Sequence, residues 1–127
     1  MPRRVQQVIF IVHGAVTLAA AIVLSVFPAA IPATVGIAID SREYLLSYFL
    51  AAAELGIGLL SLSASRLRDP TALRLVAVSF AVFHAATALL EVAYVLAEGV
   101  SGVLIANIVV RVIAALAFLV LARGQRA

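Results

Sequence analysis

The chain has 127 residues, room for one domain and no more, with 65% apolar residues, 12% charged residues and a formal net charge of +3. That charged share is about half the usual one for a soluble domain, and the apolar residues fall into four long blocks, which excludes both a small water-soluble fold and the short alternations of a β-barrel. Cysteine is absent, so disulfides, thiolate metal sites and thiol redox chemistry are excluded as well.

The first apolar block runs from about Val5 to Phe27 (residues 5–27). Arg3-Arg4 ahead of it invites comparison with a secretory signal. The stretch is too long for a signal core, however, and no small-x-small cleavage site follows Phe27. It also carries His13 and Thr17, which suit a bundle, so it is expected to stay as a span. Pro28, Pro32 and Gly36 end it. The loop from Pro28 to Ser41 is unusually apolar, and two readings are open: an interfacial lid or an ordinary turn with an anchor. Asp40-Ser41 offers a cap for the second block, residues 44–64. Arg66, Arg68, Asp69 and Pro70 form a charged turn before the third, residues 73–97. Glu98-Gly99 and Ser101-Gly102 turn the chain into the fourth, residues 103–122.

Each block has about 20 or more residues, which at about 1.5 Å per residue spans a hydrocarbon core of about 30 Å. The expected fold is therefore all-α, an integral membrane four-helix bundle forming a single domain. If the chain crosses four times, Arg3, Arg4, Arg66, Arg68, Arg74, Arg123 and Arg126 fall on one side. Arg42 falls on the other, with Asp40, Glu43 and Glu98. The positive-inside rule then puts both the N- and C-termini in the cytoplasm. All nine basic residues are arginine, and with the heavy Ala and Val usage this suggests a GC-rich bacterial genome. The expected location is the bacterial cytoplasmic (inner) membrane, multi-pass. The arginines sit at helix ends and form no patch, so nucleic acid is not an expected partner.

Residues that a lipid-facing surface would not tolerate carry the functional signal. Glu54, His84 and Arg111 lie near the middles of the second, third and fourth spans, His13 lies toward the cytoplasmic side of the first, and Glu91 and Asn107 lie nearer the outer face. A charge at a span's centre costs about 2.5–3.5 kcal/mol on insertion scales, so none of these should meet lipid alone. Heptad spacing groups them with small residues: Ser47, Ala51, Glu54, Gly58, Ser61 and Ser65 on the second span; Ala77, Ala81, His84, Ala88 and Glu91 on the third. The first span gives Gln6, Phe10, His13, Thr17 and Ala20, and the fourth gives Asn107, Arg111, Ala114 and Phe118. Small residues mark helix–helix contact in a membrane, and this repeat favours left-handed packing near +20°. The expectation is a charged layer of Glu54, His84 and Arg111, including a Glu54–Arg111 ion pair, with His13 nearby and Glu91 and Asn107 above. Tyr44, Tyr48 and Tyr94 read as interfacial belt residues.

Such a layer has a structural reading, a satisfied polar network that fixes helix register, and a functional one. The number of ionisable groups exceeds what register requires and favours function. A carboxylate and a histidine in a dry cavity can exchange a proton, and Arg111 can hold an anion or stabilise developing charge. Glu54, His84, Glu91 and Arg111 are thus candidate catalytic residues for isomerisation or cyclisation of a lipophilic molecule. His13, Thr17 and Asn107 are candidate ligand-binding residues. No Ser-His-Asp order, glycine-rich phosphate loop or HExxH is present. Two histidines on different spans have a geometry that haem ligation can use, and a His/Glu metal site is the other alternative, but no flanking signature accompanies either. No cofactor and no metal are expected.

The layout resembles small bacterial four-helix membrane proteins of the DoxX-like kind: a first span ending in a Pro-containing segment and Gly (Phe27-Pro28 through Val35-Gly36), then a small-residue second span with Ala51-Ala52-Ala53-Glu54-Leu55-Gly56. The likeness covers nearly the whole chain. It implies the four-helix architecture and carries over no catalytic residue. Small multidrug transporters are also four-helix chains of similar length, but they resemble one another by a Glu in the first helix, where this chain has His13.

Three functions compete: a membrane enzyme or binder for a lipophilic small molecule, an accessory or structural subunit, and a proton-coupled transporter. Their partners are the lipid bilayer in every case, with a lipophilic ligand, a second copy of the chain, or another protein besides.

Overall fold

The computed structural model describes residues 1–125, so Arg126, counted above with the basic residues of one side, lies outside the described residues. The described chain is helical without strands: α1 (Arg3–Val26), α2 (Ala30–Thr34), α3 (Tyr44–Ala64), α4 (Pro70–Glu98) and α5 (Gly102–Arg123). All but α2 are long and apolar enough to cross a membrane. At about 1.5 Å per residue even α3, with 21 residues, reaches about 30 Å. Two compact units divide the chain, one from Pro2 to Arg66 and one from Leu67 onward. Each is a helical hairpin, α1 with α3 and α4 with α5.

Helix ends follow local chemistry. The Phe27 N–H still bonds the Val23 carbonyl at 2.7 Å, but Phe27 has left helical backbone because the following Pro28 disfavours it. The helical turn α2 inside the apolar loop was not anticipated. Its Pro32 lies within the first turn, where a missing N–H costs nothing. Gly36, at φ 79°, closes α2 in a Schellman motif: Ile37 N–H bonds the Pro32 carbonyl at 3.0 Å and Gly36 N–H bonds that of Ala33 at 3.1 Å.

The cap expected from Asp40-Ser41 acts a few residues early. Asp40 Oδ1 accepts from Arg42 N at 2.7 Å and Glu43 Oε2 accepts from Asp40 N at 2.9 Å, so these carboxylates close a turn and α3 begins at Tyr44, with Glu43 at its N-cap position and no side-chain cap. Asp69 caps α4 fully, accepting from Thr71 N and Ala72 N at 3.2 and 3.1 Å. Pro70 is therefore the first residue of α4, and the helix starts before the expected Leu73.

The α1–α3 hairpin closes on glycine. A Cβ at Gly14 would lie 2.8 Å from Leu62 Cγ and 3.0 Å from the Gly58 carbonyl oxygen; one at Gly58 would lie 2.7 Å from Leu18 Cγ. The buried positions of α1 are Phe10, Gly14, Thr17, Ala21 and Leu24. His13 and Ala20, expected on that face, are half-buried, because Gly14 permits the closest approach and takes the centre of the contact. On α3 the expected stripe holds through Ser61, and Ala64 replaces Ser65 at its end. The α4–α5 hairpin is filled differently. Phe80 and Phe118 meet edge to face with centroids 5.1 Å apart, while Leu73, Ala77, Ala81 and Ala88 on α4 and Leu104 and Leu121 on α5 are buried beside them.

Outward faces are strongly apolar. Leu46, Leu75, Leu90 and Leu96 are 69%, 69%, 70% and 82% exposed, one of many such side chains along every long helix.

Candidate functional site

Among the polar candidates, the second hairpin brings together two pairs. His84, on the buried face of α4, is 4% exposed, and its Nδ1 lies 3.3 Å from Arg111 Nη1 on α5. Arginine has donors and no acceptor, so Arg111 donates and His84 Nδ1 accepts. A neutral His84 that accepts through Nδ1 carries its proton on Nε2. Rings enclose the pair. The imidazole stacks on Phe118 at 6.0 Å with planes 4° apart, and meets Phe83 edge to face at 5.2 Å. The Arg111 guanidinium lies 5.5 Å from the Phe83 ring centre, within cation–π range.

The second pair lies farther along the same faces. Glu91 is seven residues past His84 on α4, and Asn107 is one turn before Arg111 on α5, so helical periodicity keeps both on the contact face. Asn107 Nδ2 donates to Glu91 Oε1 at 2.5 Å. Glu91 Oε2 is buried and has no hydrogen-bond partner. Both residues are half-buried.

The first hairpin holds His13, Thr17 and Glu54. Ser61 has one hydroxyl hydrogen and donates it to the Phe10 carbonyl at 2.8 Å. The 2.9 Å contact between Ser61 Oγ and His13 Nδ1 therefore has His13 donating. The two histidines thus hold opposite tautomers when neutral: His13 with its proton on Nδ1, His84 with its proton on Nε2. Thr17 donates to the His13 carbonyl of its own helix at 2.6 Å, which commits its hydroxyl hydrogen to the backbone. Glu54 lies on the buried stripe of α3, one turn from Gly58, and is 4% exposed.

The aromatic enclosure escaped the sequence reading, apart from Phe118 in its stripe. Phe80 and Phe83 lie four and one residues before His84 in the sequence, and that proximity was the available signal. Ser61 was placed on the inner stripe but not joined to His13. Among the described residues, no group of three or more His, Asp or Glu side chains is placed to hold a metal ion.

Chemically, the α4–α5 layer offers a guanidinium and an imidazole N–H as donors, a carboxylate as acceptor, and flat apolar walls. That set suits an apolar molecule with an oxygen-bearing polar end. No family model matches the chain, and no curated protein or solved structure matches it either.

Proposed function

We propose that this chain is a multi-pass protein of a bacterial cytoplasmic membrane that binds a lipophilic small molecule at the polar layer of its α4–α5 hairpin. Membrane insertion is supported by the exposed apolar faces, since a contiguous surface of Leu, Val and Ile at these exposures does not persist in water. Each hairpin then crosses twice, and the arginine bias puts both termini in the cytoplasm. The DoxX-like layout belongs to the same reading.

The observation that carries the ligand site is the His84–Arg111 contact between the Phe83 and Phe118 rings, with Phe80 packed behind Phe118. Arg111 and the His84 Nε2–H are donors suited to a carbonyl or acidic oxygen, while the rings suit an unsaturated or cyclic body. Proton transfer on such a ligand, in an isomerisation or cyclisation, also needs a carboxylate. Glu91 supplies one on the same helix face, and Glu54 is the buried carboxylate of the other hairpin. Native mass spectrometry of the protein in mild detergent tests the reading. Wild type should carry a small molecule that is neither lipid nor detergent, and His84→Ala and Arg111→Gln should lose it while keeping their helical signal. A wild type that carries none, or variants that retain it, would overturn the site.

A second reading is favoured by the His13–Ser61–Phe10 connection, in which polar side chains serve to join helices. An accessory subunit whose polar residues fix register would appear in the same spectrum with a protein partner and no small molecule. His84→Ala and Arg111→Gln would then lower thermal stability and nothing else.

A further inference from the structure

We propose that the basic end of the α1–α3 hairpin binds an anionic phospholipid, its phosphate held by Arg66 with Arg3 and Arg4, and its acyl chain lying along Leu59 and Leu62. This rests on the membrane reading above and is independent of the α4–α5 site.

Three observations meet at this end. Ser61 faces Phe10 and Gly58 faces Gly14, so the antiparallel register sets the start of α1 beside the end of α3. That brings together Arg3, Arg4 and Arg66, all exposed. The first turn of α1 has no acidic residue, and the acidic residues of this unit, Asp40, Glu43 and Glu54, lie at the other end or in mid-helix. Second, Leu59, Leu62, Ser63 and Arg66 line a hollow of about 270 Å³. Their spacing puts them on one helix face, which leads from a guanidinium to apolar wall in the direction an amphiphile needs. Leu62, one of its lining residues, also lies beside Gly14 of α1.

The third observation decides which groups do the attracting. A helix C-terminus carries partial negative charge and repels an anion. Ser63 spends its hydroxyl hydrogen on the Leu59 carbonyl at 2.8 Å. The arginines are thus the donors, and guanidinium is the side chain best matched to phosphate oxygens. A free phosphate would use the arginines but leave the leucine wall unused, so the occupant is the lipid.

The test uses the full chain in mild detergent, titrated with phosphatidylglycerol or phosphatidylcholine of identical acyl chains and read by native mass spectrometry. Phosphatidylglycerol should be retained severalfold better. Arg66→Gln should lower its retention about fivefold, the equivalent of ~1 kcal/mol per basic residue at a membrane surface. Adding Arg3→Gln and Arg4→Gln should erase the preference, while Arg42→Gln at the opposite end should leave it intact. Equal retention of the two lipids, an unchanged preference in Arg66→Gln, or displacement of the lipid by inorganic phosphate would overturn the proposal. Recovery of the chain from the soluble fraction without detergent would instead overturn the membrane reading beneath it.

Discussion

Replacing Gly14 with alanine should loosen the α1–α3 hairpin, and the structure sets the size and order of the effect. In a helix interior, alanine is favoured over glycine by about 1 kcal/mol, so the substitution gains wherever the new methyl group has room. At Gly14 it has none: the Cβ would sit 2.8 Å from Leu62 Cγ and 3.0 Å from the Gly58 carbonyl. A side-chain tip can swing aside, but a carbonyl moves only with its helix. Overpacking of this kind costs about 1–3 kcal/mol, which leaves Gly14→Ala destabilised by about 0–2 kcal/mol net. Gly58→Ala should cost less, because its closest atoms are the Leu18 side chain at 2.7 and 2.8 Å, with the Leu18 backbone nitrogen at 3.2 Å. Gly56 is the internal control. Nothing lies within 4 Å of its added Cβ, so Gly56→Ala should gain about 0.5–1 kcal/mol. The double variant Gly14→Ala/Gly58→Ala should lose less than the sum, since one outward shift of α3 relieves both clashes. Loss of helical circular dichroism during a sodium dodecyl sulfate titration in mixed micelles would read all four. A Gly14→Ala protein as stable as Gly56→Ala would refute the close approach and with it the register of the hairpin.

Other variants probe the remaining contacts. Ser61→Ala removes the partner of His13 Nδ1 and the donor to the Phe10 carbonyl, and should cost about 1–3 kcal/mol by the same titration; no loss would dismiss that bond as a helix tie. Asp69→Ala deletes the double N-cap of α4 and should cost about 0.5–2 kcal/mol, measured as a lower midpoint of thermal unfolding. Asn107→Leu strips Glu91 of its donor and should destabilise the α4–α5 hairpin by about 1–3 kcal/mol, whereas Glu91→Leu/Asn107→Leu should recover most of that. Under the ligand-site reading, the double variant regains stability yet still lacks the bound molecule in native mass spectrometry. Arg111→Lys keeps the charge but loses the planar contact with Phe83, and should retain less of that molecule than wild type.

The long helices were legible because unbroken hydrophobicity over about twenty residues leaves few alternatives, and they lie within a few residues of their expected bounds. Deviations arise where short-range chemistry competes. Asp69 caps early enough to draw Pro70 into α4, and a Schellman closure at Gly36 lets five residues of an apolar loop become α2. On α1, Phe10 and Thr17 satisfy both the expected and the observed stripe, and the tie is broken by Gly14, whose missing side chain draws α3 over it in place of His13. The aromatic enclosure was hidden by a rule that generally serves well. Small residues mark helix–helix contact, yet an imidazole and a guanidinium in apolar surroundings need polarisable neighbours, and Phe83 and Phe118 meet that need. His84 and Arg111 were legible as inward-facing, as were Glu91 and Asn107; their pairing required the depth offset between α4 and α5, which loop sequence alone does not define.

The two hairpins solve the same packing problem by different means, and the proposed ligand site lies in the second. In the first, glycines let the helices touch, and Ser61 ties α3 to α1 twice, donating to the Phe10 carbonyl and accepting from His13 Nδ1, while Ser47 donates to the Pro28 carbonyl at 2.8 Å. A backbone carbonyl cannot turn away, so the Ser61–Phe10 bond holds register. In the second, the Phe80 and Phe118 rings fill the contact edge to face. The polar bonds across it join side chain to side chain, Arg111 to His84 and Asn107 to Glu91. Both partners in each of these bonds can rotate and exchange one acceptor for another, which is what admitting a ligand demands. His84, Glu91 and Arg111 are costly in an apolar medium, and that cost supports the proposed ligand site.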